Sequence, residues 1–166
     1  MKAPPGTAEE RIDGERVSLQ QLGEADLAII DAWYEEAARA AYESRSLREV
    51  WRSARERNTG LLAIGRADED EAIGLLEYVV RDAWLAVPFM ALTKVYRGWG
   101  YGSEAVRLVE EWAVRKRLTT RFRAKVDLRN GLGLYFWLRL GYRPGPSAGD
   151  GRAVMTMVRE IETTER

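Results

Sequence analysis

The stretch Val95 to Gly102, VYRGWGYG, constrains this chain more than any other. Glycine tolerates left-handed dihedrals and lets other groups approach the backbone closely, so alternating glycines predict a tight turn. Upstream, WLAVPFMALTK (Trp84 to Lys94) reads as a strand. Downstream, SEAVRLVEEWAVRKR (Ser103 to Arg117) reads as an amphipathic helix, with Ala105, Leu108, Val109, Trp112, Ala113 and Lys116 at helical spacing. A glycine turn feeding a helix N-terminus presents unpaired N–H groups and the positive end of the helix dipole. The combination predicts a pyrophosphate cradle; the plain alternative is a helix start that binds nothing.

Around this turn the pattern predicts a regular order of elements. Glu15 to Leu22 alternates weakly as a strand, and Asp26 offers an N-cap to a helix carrying Leu27, Ile30, Trp33, Tyr34, Ala37 and Ala41. Ser46 and Glu49 have capping-box spacing ahead of Leu47, Val50, Trp51 and Ala54, and Asn58 and Gly60 end that second helix. Leu61 to Arg66, Ala72 to Arg81 and Trp84 to Lys94 form three antiparallel strands, the first two joined by the acidic turn Asp68, Glu69, Asp70, Glu71. Pro88 cannot donate to a ladder, so a bulge or an edge is expected there. Phe122, Ala124, Val126 and Leu128 alternate with charged residues as a strand. A short helix follows Asn130 and Gly131 and ends at Gly141, and Tyr142 to Ser147 with Ala153 to Glu160 close as a hairpin.

Composition excludes much chemistry. There is no cysteine and no histidine, which removes disulfides, thiolate nucleophiles, imidazole bases and the usual zinc ligands, so no metal is expected. Basic and acidic residues each number 26, leaving no net field to recruit nucleic acid or an anionic membrane. The longest apolar run, Trp84 to Leu92, falls far short of the ~20 residues that cross a bilayer. The N-terminal MKAPPGTAEERIDGE has no apolar segment and reads as a flexible lead-in, so a cytoplasmic protein is expected. The boundaries read as a lead-in over 1–14, one domain over 15–160 and a tail over 161–166.

Arg97, Gly100 and Gly102 make the pattern RxxGxG between strand and helix, and a strand ending near Asn130 and LRLGY (Leu138 to Tyr142) follow. In these segments the chain resembles the GNAT superfamily of N-acetyltransferases, whose acetyl-CoA loop carries R/QxxGxG/A and whose later helix commonly reads like NxxAxxLYEKLGF. The resemblance covers about Glu15 to Glu160. It implies an α/β (α+β) fold, with a mixed, mostly antiparallel central sheet of about seven strands flanked by about four helices. Acetyl-CoA is then the co-substrate, and an amine-bearing acceptor the partner.

Carried onto this chain, the resemblance has the amides of Gly98, Trp99, Gly100, Tyr101, Gly102 and Ser103 hold the CoA pyrophosphate, with Arg97 adding charge. Packing is the plainer role for the Trp99 and Tyr101 side chains. Met90 and Leu92 become the strand positions whose backbone pairs with pantetheine in a slot opened near Pro88, the Leu92 amide facing the thioester oxygen as an oxyanion donor. Asn130 becomes a cofactor contact, or alternatively only a helix N-cap. The position of the family's proton-donating tyrosine holds Trp137, whose indole can donate a hydrogen bond but no proton. Tyr135, the nearest tyrosine, is the catalytic candidate in its stead, reaching the sulfur only through a helix offset because it lies about 200° away around the helix. Glu77 is the leading candidate base, with Asp127 and Asp82 in reserve; each also reads as a solvated surface charge. The acceptor side falls to Trp33, Tyr34, Tyr42, Glu43 and Arg45 with the final hairpin. A homodimer through the C-terminal strands is conceivable. Two rivals stay open: a non-catalytic acyl-CoA-binding or interaction module, and a turn that binds another phosphorylated ligand such as a nucleotide.

Overall fold

The computed structural model describes residues 11–57, 59–69, 71–146 and 153–162. Most of the lead-in, Asn58, Asp70, Ser147 and most of the tail lie outside them. Along the chain come β1 (Ile12–Asp13), β2 (Val17–Gln21), α1 (Glu24–Ala40), α2 (Leu47–Arg57), β3 (Gly60–Arg66), β4 (Ala72–Arg81), β5 (Trp84–Leu92), α3 (Tyr101–Arg115), β6 (Arg121–Asp127), α4 (Gly131–Arg139), β7 (Arg143–Pro144) and β8 (Val154–Glu160). The strands form one sheet in the order β1-β2-β3-β4-β5-β6-β8-β7. Every neighbouring pair is antiparallel except β5 and β6.

This is the expected mixed sheet with four helices, and it carries one strand more than anticipated. The extra strand, β1, lies inside the segment read as a lead-in: Ile12 pairs with Leu19 and is buried. At the other end Ile161 N–H still donates to Thr120 O at 2.8 Å, one residue beyond the expected domain boundary.

Apolar side chains on the two sheet faces build two cores. One joins Ile30, Tyr34 and Ala37 of α1 and Val50 and Ala54 of α2 to Leu75, Phe89 and Ala91. The other joins Ala105, Val109, Trp112 and Ala113 of α3 and Trp137 of α4 to Leu76, Tyr78, Leu85, Val87 and Phe122. The sheet is therefore covered on both faces, which is why β4 reads as a nearly continuous apolar run.

Two boundaries differ from the expectation. Helix α1 is capped by the extended Gly23 and starts at Glu24, so Asp26 closes the end from the third helical position, its carboxylate accepting from Gly23 N–H at 2.8 Å. Helix α3 starts at Tyr101, because Gly100 at φ +85° is already the cap. The capping box before α2 is as anticipated: Ser46 N–H donates to the Glu49 carboxylate at 2.7 Å, and Glu49 N–H to Ser46 Oγ at 3.1 Å.

Pro88 produces the feature that matters most. Glu77 faces Phe89 and Val79 faces Ala86, so Val87 and Pro88 together oppose Tyr78 alone, which is a β-bulge. A one-residue slip exchanges the faces of a strand. Leu85 and Val87 accordingly point to the α3 side before the bulge, and Met90 and Leu92 do so after it, with Phe89 and Ala91 turned to α1 and α2.

Candidate active site

The bulge also ends the parallel pairing. β5 and β6 are in register at Leu85–Phe122, Ala86–Arg123 and Val87–Ala124, and no pair follows among the described residues. β6 continues to Asp127 in register with β8. The C-terminal halves of β5 and β6 thus diverge from Pro88 onward. Thr93 N–H still bonds Ile73 O on β4 at 2.9 Å, so by strand alternation the Met90 and Leu92 amides point the other way, to the open edge. A crevice beyond the carboxyl ends of parallel strands is where open α/β sheets bind ligands.

The glycine loop stands directly beyond this opening. After β5, Lys94–Tyr96 make one 3-10 turn, Gly98 takes φ +86° and Gly100 φ +85°. A Cβ added at Gly98 would meet nothing within 4 Å, so the dihedral alone requires glycine there and the space in front stays open. Gly102 is buried in the first turn of α3. A Cβ on it would lie 3.4 Å from Met90 Cε and Leu92 Cδ1 and 3.3 Å from Phe136 Cε2. The lack of a side chain at Gly102 thus lets the first turn of α3 approach β5, and its amides have no side-chain cap of their own.

Arg97 does not point its charge into the loop's open side: it is ion-paired with Glu36 of α1. The guanidinium beside the loop is that of Arg16, whose Nη1 donates to Trp99 O at 2.8 Å and whose Cζ lies 4.9 Å from the Tyr101 ring centroid. The first turn of α3 returns the connection, Glu104 accepting from Arg16 N–H at 2.9 Å and Val17 N–H at 2.6 Å. Nothing in the sequence singles out Arg16, because an arginine on the polar side of a weakly alternating strand looks like surface; only the fold carries it to a loop more than eighty residues away. Trp99 is exposed, and Tyr101 packs edge-on against Tyr96.

On α4 the candidates separate. Asn130 is the N-cap, its Oδ1 accepting from Gly133 N–H at 2.9 Å. Trp137 is 6% exposed and packs edge-on against Phe136 and Tyr142, with centroids 5.1 and 4.8 Å away. Tyr135 lies on the outer side of α4, 59% exposed under the Arg139 guanidinium, as the helical angle from Trp137 requires. It is Phe136 that reaches the Gly102, Met90 and Leu92 cluster.

The three candidate bases also part company. Asp82 sits exposed in the β4–β5 turn, at the opposite end of β5 from the divergence. Asp127, at the end of β6, accepts from Arg129 Nε at 2.9 Å and Nη2 at 2.8 Å. Those bonds, with one from the Arg129 amide, hold its carboxyl down at about 2. Glu77 is 3% exposed on the α1/α2 face, and both its oxygens accept from Arg45, Nη1 at 3.2 Å and Nη2 at 2.9 Å. Arg45 also pairs with Glu43, and its carbonyl accepts from the Tyr34 hydroxyl at 2.7 Å. Burial and the nearby Glu43 push the Tyr34 phenol well above its usual range. Among the described residues no group of three or more acidic side chains is arranged to hold a metal ion. Nor is any helix long and apolar enough to cross a membrane.

Comparison with known proteins identifies the family. The model of the acetyltransferase (GNAT) family matches residues 27–142, more than two thirds of the sequence, and the chain belongs to that family. Its fold is similar to that of an acetyltransferase from Agrobacterium tumefaciens, at TM-score 0.74 and 17% identity over 92% of this chain and 95% of that one. It is also similar to the ribosomal-protein-S5-alanine acetyltransferase from Vibrio fischeri, at TM-score 0.71 and 17% identity over 95% of this chain and all of that one. A third similar structure is the Salmonella typhimurium enzyme that modifies the N-terminal serine of ribosomal protein L7/L12, at TM-score 0.73 and 14% identity over 92% and 100%. Identities this low establish the shared fold alone. No curated protein matches the chain. Arg16 lies outside the matched segment.

Proposed function

We propose that the protein is an N-acetyltransferase that moves the acetyl group of acetyl-CoA directly to an amine, with no covalent enzyme intermediate. The observation that carries this reading is the divergence of β5 from β6 at Pro88, immediately behind a loop with two left-handed glycines. The amides of Gly98 to Ser103 hold the pyrophosphate at the N-terminus of α3. The open-edge amides of Met90 and Leu92 pair with pantetheine as an added strand would, and Leu92 N–H faces the thioester oxygen, where charge develops during attack. Asn130 has Nδ2 left over from its capping bond for the cofactor.

No ionisable side chain of α4 turns toward the cluster at Gly102, and Trp137 cannot give up a proton. A thiol of ordinary pKa near 8.5 leaves as thiolate and takes its proton from water. Positioning and the oxyanion donor therefore supply most of the rate. The acceptor enters past the α1–α2 connection, where Tyr34, Tyr42, Glu43 and Arg45 gather.

Because the chain has no cysteine, a thiol reagent reports only released CoA. Acetyl-CoA should be titrated calorimetrically, with ATP as control, and thiol release followed across lysine, polyamine, aminoglycoside and alanine- or serine-initiated peptide acceptors. CoA binding with amine-dependent release supports the reading. Binding without release makes the chain a non-catalytic acyl-CoA module, and preference for ATP overturns the cofactor assignment.

A further inference from the structure

Glu77 and Glu110 are the acidic residues most completely buried among the described residues. Glu110 has a role in the fold: it accepts from Tyr142 Oη at 2.6 Å and Arg159 Nη1 at 2.7 Å, fastening α3 to β8 and to the end of α4. Glu77 fastens something else. We propose that Glu77 is a positioning residue that fixes the α1–α2 connection as a wall of the acceptor entrance, and that it acts through Arg45 rather than by taking the acceptor's proton. The inference rests on the acetyl-transfer reading above.

The geometry runs as one chain of contacts. In register Glu77 faces Phe89, the first residue beyond the bulge, so its carboxylate marks the α1/α2 side of the point where the slot opens. The Arg45 guanidinium occupies both carboxylate oxygens. Arg45 is held again through Glu43 and through its own carbonyl by Tyr34, so this single residue ties the connection to α1 and to β4. Three positions earlier Tyr42 stands at φ +58°, the left-handed residue of a Schellman close to α1, its N–H donating to Arg39 O at 3.2 Å and Glu43 N–H to Ala38 O at 2.8 Å. The Tyr42 ring lies 4.9 Å from the Arg129 guanidinium, which Asp127 holds at the end of β6. The connection is thus anchored on β4 at one end and rests on the β6–α4 turn at the other, crossing the side of the slot from which an amine approaches.

A base and an anchor respond differently to mutation. Removing either partner breaks the same link between the connection and β4, so for an anchor Glu77→Gln and Arg45→Met have the same consequence. For a base the two diverge, since losing Arg45 would free the carboxylate for proton transfer. The test is steady-state kinetics across pH at saturating acetyl-CoA, with an alanine-initiated tetrapeptide or the fastest amine of the panel as acceptor. Both variants should raise acceptor KM by about tenfold with kcat changed by less than about threefold, and the double variant should be no worse than either single one. The apparent pKa of kcat and the calorimetric affinity for CoA should match the wild type, and Arg45→Lys, which keeps the charge but loses the fork, should recover part of the KM. The proposal is overturned if Glu77→Gln abolishes turnover while Arg45→Met retains it, if the pH profile shifts, or if neither variant moves KM. Should the wild type bind CoA yet release none with any amine, the transfer reading fails on its own. Amide hydrogen exchange at residues 41–46 then decides the anchor: equal acceleration in Glu77→Gln and Arg45→Met supports it, and unchanged exchange overturns it. If Glu77→Gln does not fold, Arg45→Met decides alone: exchange faster than wild type, with Arg45→Lys in between, supports the anchor, and unchanged exchange overturns it.

Discussion

Replacing Gly98 by alanine separates the cost of a backbone conformation from the cost of blocking a ligand. At φ +86° an alanine is strained by about 1–2 kcal/mol. The reduced freedom of the unfolded chain returns about 0.4–1 kcal/mol, for a net loss near 1 kcal/mol. Since nothing lies within 4 Å of the new Cβ, no steric term is added, and the melting temperature should fall by about 2–4 °C for a chain of this length. Gly100→Ala carries the same dihedral strain, but its Cβ would stand 2.8 Å from Arg16 Nη2. Arg16 must then shift from its bond to Trp99 O, adding about 1 kcal/mol. In the free protein Gly98→Ala is therefore the milder change. Binding reverses the logic: if the amides here grip a diphosphate, the empty space in front of Gly98 is where it lies. Spoiling one charge-assisted hydrogen bond costs about 1.5–3 kcal/mol, or roughly 10- to 100-fold in Kd for CoA. Thermal melts of the free variants and calorimetry with CoA give both numbers. Wild-type CoA affinity in a Gly98→Ala protein that melts a few degrees lower would refute the cradle.

Arg16→Met should weaken CoA binding by about tenfold and flatten its salt dependence, because a cation beside the loop is lost; equal affinity and equal slope in both proteins would limit Arg16 to holding Trp99 in place. Tyr135→Phe should leave turnover unchanged, and a sharp drop in kcat would put that hydroxyl at the sulfur after all. Tyr142→Phe deletes the 2.6 Å bond to Glu110 and should destabilise the fold by about 1.5–3 kcal/mol in urea unfolding. Burial, then the Glu110 charge, raises the Tyr142 pKa in the folded state, so this stabilisation is complete below the ordinary tyrosine range and is lost as pH climbs above about 10. The variant should accordingly lose less stability there than the wild type, and identical alkaline limbs would contradict this. The Asp127 carboxyl should titrate near 2 by carbon-13 NMR and return toward its ordinary value in Arg129→Gln. Its pair with Arg129 favours the fold above the ordinary carboxyl range and fades as pH falls toward 2; a wild-type midpoint near 4 would deny the pairing.

Local signals were legible wherever one residue type has one physical use. The capping box at Ser46 and Glu49, the alternation of β6, the proline that no central ladder accepts and the glycines that alone adopt φ near +85° each appear in the structure where the chain announced them. Where two neighbours could serve one purpose the reading slipped: Gly23 and Asp26 both close a helix start, and choosing between them needs the backbone angle. The two-residue β1 was too short to show any period.

What the amino-acid order determined by itself was the succession of elements after β1, an interruption of the ladder at Pro88 and the glycine loop, because dihedral preference, missing donors and apolar period act over a few residues. What only the tertiary structure decided was who meets whom around the slot: Arg45 on Glu77, Arg129 beneath Tyr42, Arg97 with Glu36, and Arg16 on the loop in the place expected for Arg97. Arginines and carboxylates are numerous and long, so any of them could pair with many others. The sheet order, which sets distant strands and connections side by side, selects the pairs that form.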